Sequence, residues 1–420
     1  MNLLVVGGGG REHAIIKKLR ENPQVETIYA LPGNGGIARD AVCVPEIGAK
    51  DIDGIVDFAT SHDVDFAVVA PDDPLALGCV DRLHAAGVPC FGPDAKAARI
   101  ESSKVFAKNL MKKYHIPTAR YEVFDDPAKA LAYLRSGVSF PIVVKADGLA
   151  LGKGVLIPQN LPEAEAAVKS IMEDRAFGDS GREIVIEEFL TGPEVSVLAF
   201  TDGTAIRPMV SSMDHKRSRD GDTGLNTGGM GSVSPVPFAD DSFMAKVEER
   251  IVRPTVNGLR AEGIDYRGFI FLGLINVESE PMVIEYNVRM GDPETEVVMP
   301  RIASDLLPAL VAIANGNLGD TVIEHDPRTA VAVMAVSGGY PGSYAKGKVI
   351  EGLDKVDGIV FHAGTALDDK GRVVTSGGRV LATVAFSDDI PGAAAKSYEM
   401  LDKITFEGKY NRRDIGRDLV

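Results

Sequence analysis

The sequence has no tryptophan, only three cysteines, and seven histidines scattered over 420 residues. Cys43, Cys79 and Cys90 are odd in number and show no C-x-x-C spacing, which excludes a disulfide framework or a zinc ribbon and points to small apolar side chains in a reducing compartment. No histidine stands in H-E-x-x-H or any other metal-ligand spacing, so each reads as a structural or surface residue rather than a ligand. Long hydrophobic runs are also missing. The start, MNLLVVGGGG, lacks both the basic segment of a signal peptide and the length of a membrane span, and a cytoplasmic location is expected. Positive charge is scarce overall: the net charge is -15. That balance disfavours nucleic acid and membrane surfaces as partners, because both are polyanionic. Any anionic small molecule must therefore be met by local basic groups.

What is present is an ordinary globular composition, 45% hydrophobic and 25% charged, at a length that calls for several domains and hence clefts between them. The first hundred residues alternate apolar strands (Asn2 to Val6, Thr27 to Leu31, Asp65 to Pro71) with helical patterns at Arg11 to Glu21 and Leu75 to Ala86. This predicts a parallel α/β domain that binds ligands at the loops after its strands. From Ser103 a helical stretch leads into strand-loop-strand units, then a long helix over Asp241 to Glu262 and two apolar strands, FIFLGLINV and MVIEYNV. Past His325 the period-two runs VAVMAVS, GIVFHAG and RVLATVAF predict a small β-rich domain closed by a helix.

Several glycine-rich stretches sit between these elements. VVGGGGREHA follows a strand and opens a helix, but neither register completes G-x-G-x-x-G: the third glycine position holds Glu12 or His13. No acidic residue ends the second strand, so nicotinamide chemistry is disfavoured. A row of N-H groups at a helix start remains, suited to a phosphate or carboxylate. VVKADGLALGKGV fails as a P-loop because Asp147 and Gly154 stand where glycine and serine or threonine are required. Even so, Lys145 and Lys153 flank one flexible loop and suit a polyphosphate. Asp214 to Ser232 contains five glycines, only Leu225 and Met230 as large apolar residues, and Lys216, Arg217 and Arg219. It reads as a loop that wraps an anion, mobile when empty. In MVIEYNVRMGDPETE, Glu285, Asn287 and Arg289 alternate and so share one strand face. Two oxygen ligands beside a guanidinium suit Mg²⁺ and a phosphate.

In chain order, GGGGREHA, PGNGG, KADGLALGKGV, EEFLTGPEVS, HKRSRDGDTGLNTGGMGS, EYNVRMGDPETE and GKYNRRDIG resemble the motifs of the ATP-grasp superfamily. Within it they are most similar to the glycinamide ribonucleotide synthetase family, over essentially the whole chain. The resemblance implies a multidomain α/β and α+β fold. A parallel α/β preATP-grasp domain would cover residues 1–102, an ATP-grasp domain 103–325 with a lid at about 119–193 inserted in its core, and a C-terminal β-rich domain 326–420.

It also implies ATP with Mg²⁺ or Mn²⁺, glycine and 5-phosphoribosylamine as small-molecule substrates, and a glycyl phosphate intermediate on the way to glycinamide ribonucleotide in purine biosynthesis. On that footing Lys104, Lys145, Gly152, Lys153 and Gly154 meet the ATP phosphates, Glu187, Glu188, Phe189 and Leu190 the adenine, and Glu194 the ribose. Glu285 and Asn287 hold the metal, while Arg289, Lys216 and Asp214 act on the reacting groups. Gly9, Gly10, Arg11, Asn226, Thr227, Gly228, Gly229, Met230, Gly291, Asp292 and Pro293 line the substrate site. Two departures stand out. Met290 replaces a bulky aromatic or leucine, and FIFLGLINV offers no carboxylate before Glu278 for the metal. Another ATP-grasp carboxylate-amine ligase or carboxylase is the neighbouring alternative, and a non-catalytic nucleotide-binding protein the more distant one.

Overall fold

The computed structural model describes residues 1–149 and 154–420. The first hundred residues form a parallel five-stranded sheet in the order Val42–Cys43, Thr27–Pro32, Asn2–Gly7, Phe66–Val69, Cys90–Phe91. The central strands are apolar on both faces for a packing reason. Leu4, Val6, Ala67 and Val69 enter one core cluster, while Leu3, Val5, Phe66 and Val68 enter another on the opposite face. The connection reverses beside Asn2–Gly7, and the helix Gly10–Leu19 starts there, at the carboxyl end where open α/β sheets bind ligands. One expected helix is two: Gly78, at φ +81°, separates Asp72–Ala76 from Cys79–Ala85. Only glycine adopts that backbone without strain.

Residues 121–188 contribute a four-stranded antiparallel sheet, Tyr121–Phe124, Ile184–Glu188, Ile142–Ala146, Val155–Leu156. The helices Pro127–Leu134 and Leu161–Val168 bury Leu134, Ala164 and Val168 against Ile142, Val144 and Ile186, a core of their own. A second antiparallel sheet, Ile206–Pro208, Glu194–Thr201, Gly268–Val277, Glu280–Asn287, shares its core cluster with the N-terminal sheet through Val195, Val197, Leu272 and Val283. The predicted long helix runs from Asp241 to Ala261 with one widened turn at Glu248–Val252.

The C-terminal sheet holds a difference from the sequence reading. Thr329–Val336, Arg379–Ser387 and Ile359–His362 are joined by Gly231–Ser234 and Met213–Asp214. The glycine-rich stretch expected to be a loop is therefore built into the edge of this sheet. Between those two strands a hairpin projects, Arg217–Arg219 paired with Thr223–Asn226. No helix among the described residues is long and apolar enough to cross a membrane.

Candidate active site

Two adjoining cavities of about 320 and 150 Å³ share Gly228, Ile284, Glu285, Asn287, Arg289 and Asp292. The larger lies under the lid sheet and along the helix Lys104–Lys113. The smaller lies between the core sheet and the strand Met213–Asp214. Together they make one cleft with Glu285 and Asn287 at its centre. The strand ends at Asn287, and Arg289 follows it, still lining both cavities. Glu101 directs Arg289: one carboxylate oxygen lies 3.3 Å from the guanidinium and the other accepts the Val288 N-H at 2.8 Å. Arg289 Nε is buried with no partner among the described residues. Such a donor suits an arriving anion.

Glu285 is open to the solvent of the cleft, yet protein surrounds it. Burial alone would raise its pKa; Lys216, Lys145, Lys104 and Arg289 outweigh that and hold it below the usual carboxylate range. An ionised carboxylate and an amide oxygen fit a hard cation that completes its shell with water and phosphate oxygens. Directly across the ladder from Glu285 stands Gly273, where a Cβ would sit 3.0 Å from Glu285 Cγ. A side chain at that one position would press on Glu285. No cluster of three or more histidine, cysteine or carboxylate ligands exists among the described residues, so the chain supplies few ligands and a substrate must supply others.

In the larger cavity three lysines converge. Lys104 donates to Gly148 O at 2.8 Å, and burial lowers its pKa despite the pull of Glu285. Asp147 accepts the Val105 N-H at 3.1 Å and Ser103 Oγ at 3.3 Å, which fixes the start of that helix. Lys145 donates to Ile284 O at 3.1 Å, and its Nζ lies 3.1 Å from Glu187 Oε1. Lys108, absent from the sequence-based selection, lies 3.2 Å from Glu187 Oε2, and burial pushes it down to about 8. Strand alternation then separates the two adjacent glutamates. Glu187 points into the cavity, whereas Glu188 takes a forked pair of bonds from Arg120 at 2.7 and 2.9 Å. Phe189 is exposed, and neither it nor Leu190 lines the cavities. Gly154 lines the larger one; Gly152 and Lys153 lie outside the described residues.

The three basic residues of the hairpin have separate fates. Lys216 enters the smaller cavity and pairs with Glu194 at 2.7 Å; Asp214, Glu194 and Glu285 raise its pKa against the opposing effect of burial. Arg217 donates to Gly224 O across the hairpin, and Arg219 stacks on Tyr410 at 4.6 Å. Thr227 bonds Lys216 O, while Asn226 is an exposed hairpin residue. Gly228 lines both cavities, and Gly229 packs against Pro293. Met230 is a correction to the substrate-site expectation: it is fully buried, belongs to the C-terminal core cluster with Val233 and Val331, and lines neither cavity.

The hairpin is not a free loop either. Arg412, buried at 2%, bonds Arg217 O at 3.0 Å and forks onto Asp414 at 2.8 and 3.0 Å. Asp414 accepts the Gly221 N-H, the Arg413 N-H meets Asp220, and His215 meets Asp418. The terminal motif GKYNRRDIG is thus the clamp of this hairpin.

At the helix start, Gly9 N-H donates to Glu12 at 2.7 Å and Arg11 N-H to Asp292 at 3.2 Å. Protein carboxylates therefore occupy part of the anion site expected there, a second correction. A Cβ at Gly10 would lie 2.2 Å from Glu296 Oε1, so any larger residue there must displace that carboxylate. Arg379, from the C-terminal domain, binds Asp292 at 3.1 Å and Gly228 O at 3.1 Å. In the smaller cavity Ser196 donates to Glu294, whose burial raises its pKa to about 7 with help from Asp214. Burial likewise raises Asp214. Nothing in the one-dimensional pattern distinguishes Glu101, Lys108 or Arg379 from surface charges, whereas Glu294 stands inside the EYNVRMGDPETE motif.

A parallel α/β domain, a small β-rich lid and an antiparallel core sheet enclosing a lysine-lined cleft define the ATP-grasp architecture. Three family profiles match along the chain: the N domain of phosphoribosylglycinamide synthetase over residues 1–101, its ATP-grasp (A) domain over 102–295, and its C domain over 330–418. The chain belongs to the phosphoribosylglycinamide synthetase family. It is 46% identical to phosphoribosylamine–glycine ligase of Salmonella typhi, over 99% of this chain and 98% of that one. With the enzyme of the same name from Caldanaerobacter subterraneus it shares 45% identity, over 99% of each. The crystal structure of phosphoribosylamine–glycine ligase from Thermotoga maritima superposes with a TM-score of 0.87 at 37% identity, covering 99% of this chain and 100% of that one. A biotin carboxylase from Campylobacter jejuni has a TM-score of 0.75 at 14% identity, a likeness of fold.

Proposed function

We propose that the protein joins glycine to 5-phosphoribosylamine at the expense of ATP, giving glycinamide ribonucleotide, ADP and phosphate. The observation that carries this reading is the single cleft in which Glu285, Asn287 and Arg289 connect a lysine-lined cavity to a smaller one of mixed charge. In the larger cavity Lys104 and Lys145 neutralise the polyphosphate. Glu285 and Asn287 hold Mg²⁺, or Mn²⁺ in its place, which when bound draws charge from the transferring phosphoryl oxygens. The smaller cavity suits a zwitterion with no side chain: Arg289 and Lys216 face its carboxylate, and Asp214 and Glu294 its ammonium. Arg289, fixed by Glu101, aligns the glycine carboxylate oxygen for in-line attack on the γ-phosphorus. The phosphoryl group passes to glycine and ADP leaves, a step that needs positioning and charge neutralisation more than a protein nucleophile. The amine nitrogen of phosphoribosylamine then attacks the glycyl carbonyl carbon, the carbon–oxygen bond to phosphate breaks, and the nitrogen loses a proton. The lid sheet, with a core of its own, is suited to close over the acyl phosphate and exclude water. The unpaired cysteines fit a cytoplasmic setting.

The test is ADP release from glycine, ATP, Mg²⁺ and freshly generated phosphoribosylamine, with alanine, bicarbonate and biotin as competing acceptors. ADP formation that requires both glycine and the amine is expected. Turnover with bicarbonate or biotin in their place would assign a carboxylase, and nucleotide binding without turnover on any acceptor would leave a binding protein.

A further inference from the structure

We infer that Lys108 is a specificity-determining positioning residue, which keeps Glu187 as a hydrogen-bond acceptor toward the purine edge so that the cavity takes a 6-amino purine and rejects a 6-oxo purine. The inference rests on the nucleotide reading of the larger cavity. Lys108 is 2% exposed and Glu187 4%, so a charge at either place must be compensated from within. Lys108 is held from three sides. Its ammonium bonds Thr118 Oγ1 at 2.6 Å, pairs with Glu187 Oε2 at 3.2 Å and faces the Tyr121 ring at 5.5 Å. Thr118 in turn donates to Val283 O at 2.6 Å, which ties the arrangement to the strand that carries Glu285.

Glu187 Oε1 is different. Lys145 lies 3.1 Å away but is not aligned to donate, and the atom has no hydrogen-bond partner among the described residues. An ionised carboxylate accepts only, so this oxygen suits the exocyclic amine of adenine and repels the carbonyl of a 6-oxo purine. Glu187 is faced by Lys108 from the helix Lys104–Lys113, by Lys145 from Ile142–Ala146, and across the cavity by Glu285. With Lys145 bonded to Ile284 O and assigned to the phosphates, Lys108 is the cation that serves Glu187 alone. Without it, Oε2 loses its ion-pair partner, the carboxylate is no longer held with Oε1 free toward the cavity, and the two bases are no longer distinguished.

The test is calorimetric titration of the full chain with Mg-ADP and Mg-IDP, for the unaltered protein, Lys108→Met, Lys108→Arg and Thr118→Val. The unaltered protein should prefer ADP by about tenfold or more, the cost of leaving a charged acceptor unpaired. Lys108→Met should bring the ratio to within about threefold by the same argument, Lys108→Arg should restore most of it, and Thr118→Val should lower it in part. A general loss of structure would weaken both nucleotides alike and leave the ratio in place. Equal discrimination in Lys108→Met and the unaltered protein overturns the inference. If Lys108→Met fails to fold, an unchanged ratio in Thr118→Val does so. An unaltered protein that binds both nucleotides equally also overturns it, whereas one that binds neither refutes the nucleotide reading itself.

Discussion

Replacing Arg412 by methionine tests the clamp on the hairpin. The side chain is 2% exposed and makes two bonds to Asp414 and one to Arg217 O, with Asp222 at 3.4 Å. Breaking a buried ion pair from one side costs about 3 to 5 kcal/mol. Asp414 is 18% exposed and keeps the Gly221 N-H, which reduces what is lost, so the low end, about 3 kcal/mol, is the working figure. At about 1.4 kcal/mol per tenfold, the population of the opened hairpin should rise by roughly a hundredfold. Amide exchange followed by mass spectrometry should show that acceleration across residues 217–226, with the lid strands unchanged. Arg413→Met is the control. Arg413 is half exposed and pairs with Asp402, and such a surface pair contributes at most about 1 kcal/mol. Equal exchange in the two variants would refute the clamp.

Lys216→Ala should lower turnover by about tenfold or more, the scale of a lost charged hydrogen bond, because Lys216 reaches the cavity; Arg217→Ala, bonded only across the hairpin, should stay within about twofold. Comparable losses in steady-state ADP release would reverse that assignment. Glu285→Gln should keep its fold by circular dichroism but shift activity to much higher Mg²⁺, and an unchanged magnesium titration would remove Glu285 from the metal site. His362 is 3% exposed and its pKa is lowered to about 3, chiefly by burial. The unfolded chain therefore binds a proton that the folded chain refuses, and this contribution to stability, complete above about pH 6.5, is lost as pH falls toward 3. His362→Gln should flatten the fall in melting temperature between pH 7 and 5; an unaltered slope would place the acid sensitivity elsewhere.

Periodicity and local motifs determined much of this protein. Strands apolar on both faces such as Asn2–Gly7, alternating with helical patterns, mark a buried parallel sheet, since each face must find a core. The alternation of Glu285 and Asn287 puts both on one face whatever surrounds them. The conformation of Asp214 to Ser232 was not contained in its own composition. Glycines and charges read as a loop until Thr329–Val336 and Arg412, both far along the chain, supply a sheet edge and a clamp. The same holds for the helix start at Gly10, where the donors visible in sequence are partly taken by Asp292, and for Glu187, separated from Glu188 only by which side of a strand meets Lys108 and which meets Arg120. Backbone periodicity is a local property and survives in the sequence. The partner of a charge is a matter of distance through space, and only the packing of Lys108, Glu101, Arg379 and Arg412 around the cleft decides which charges remain free to meet a ligand.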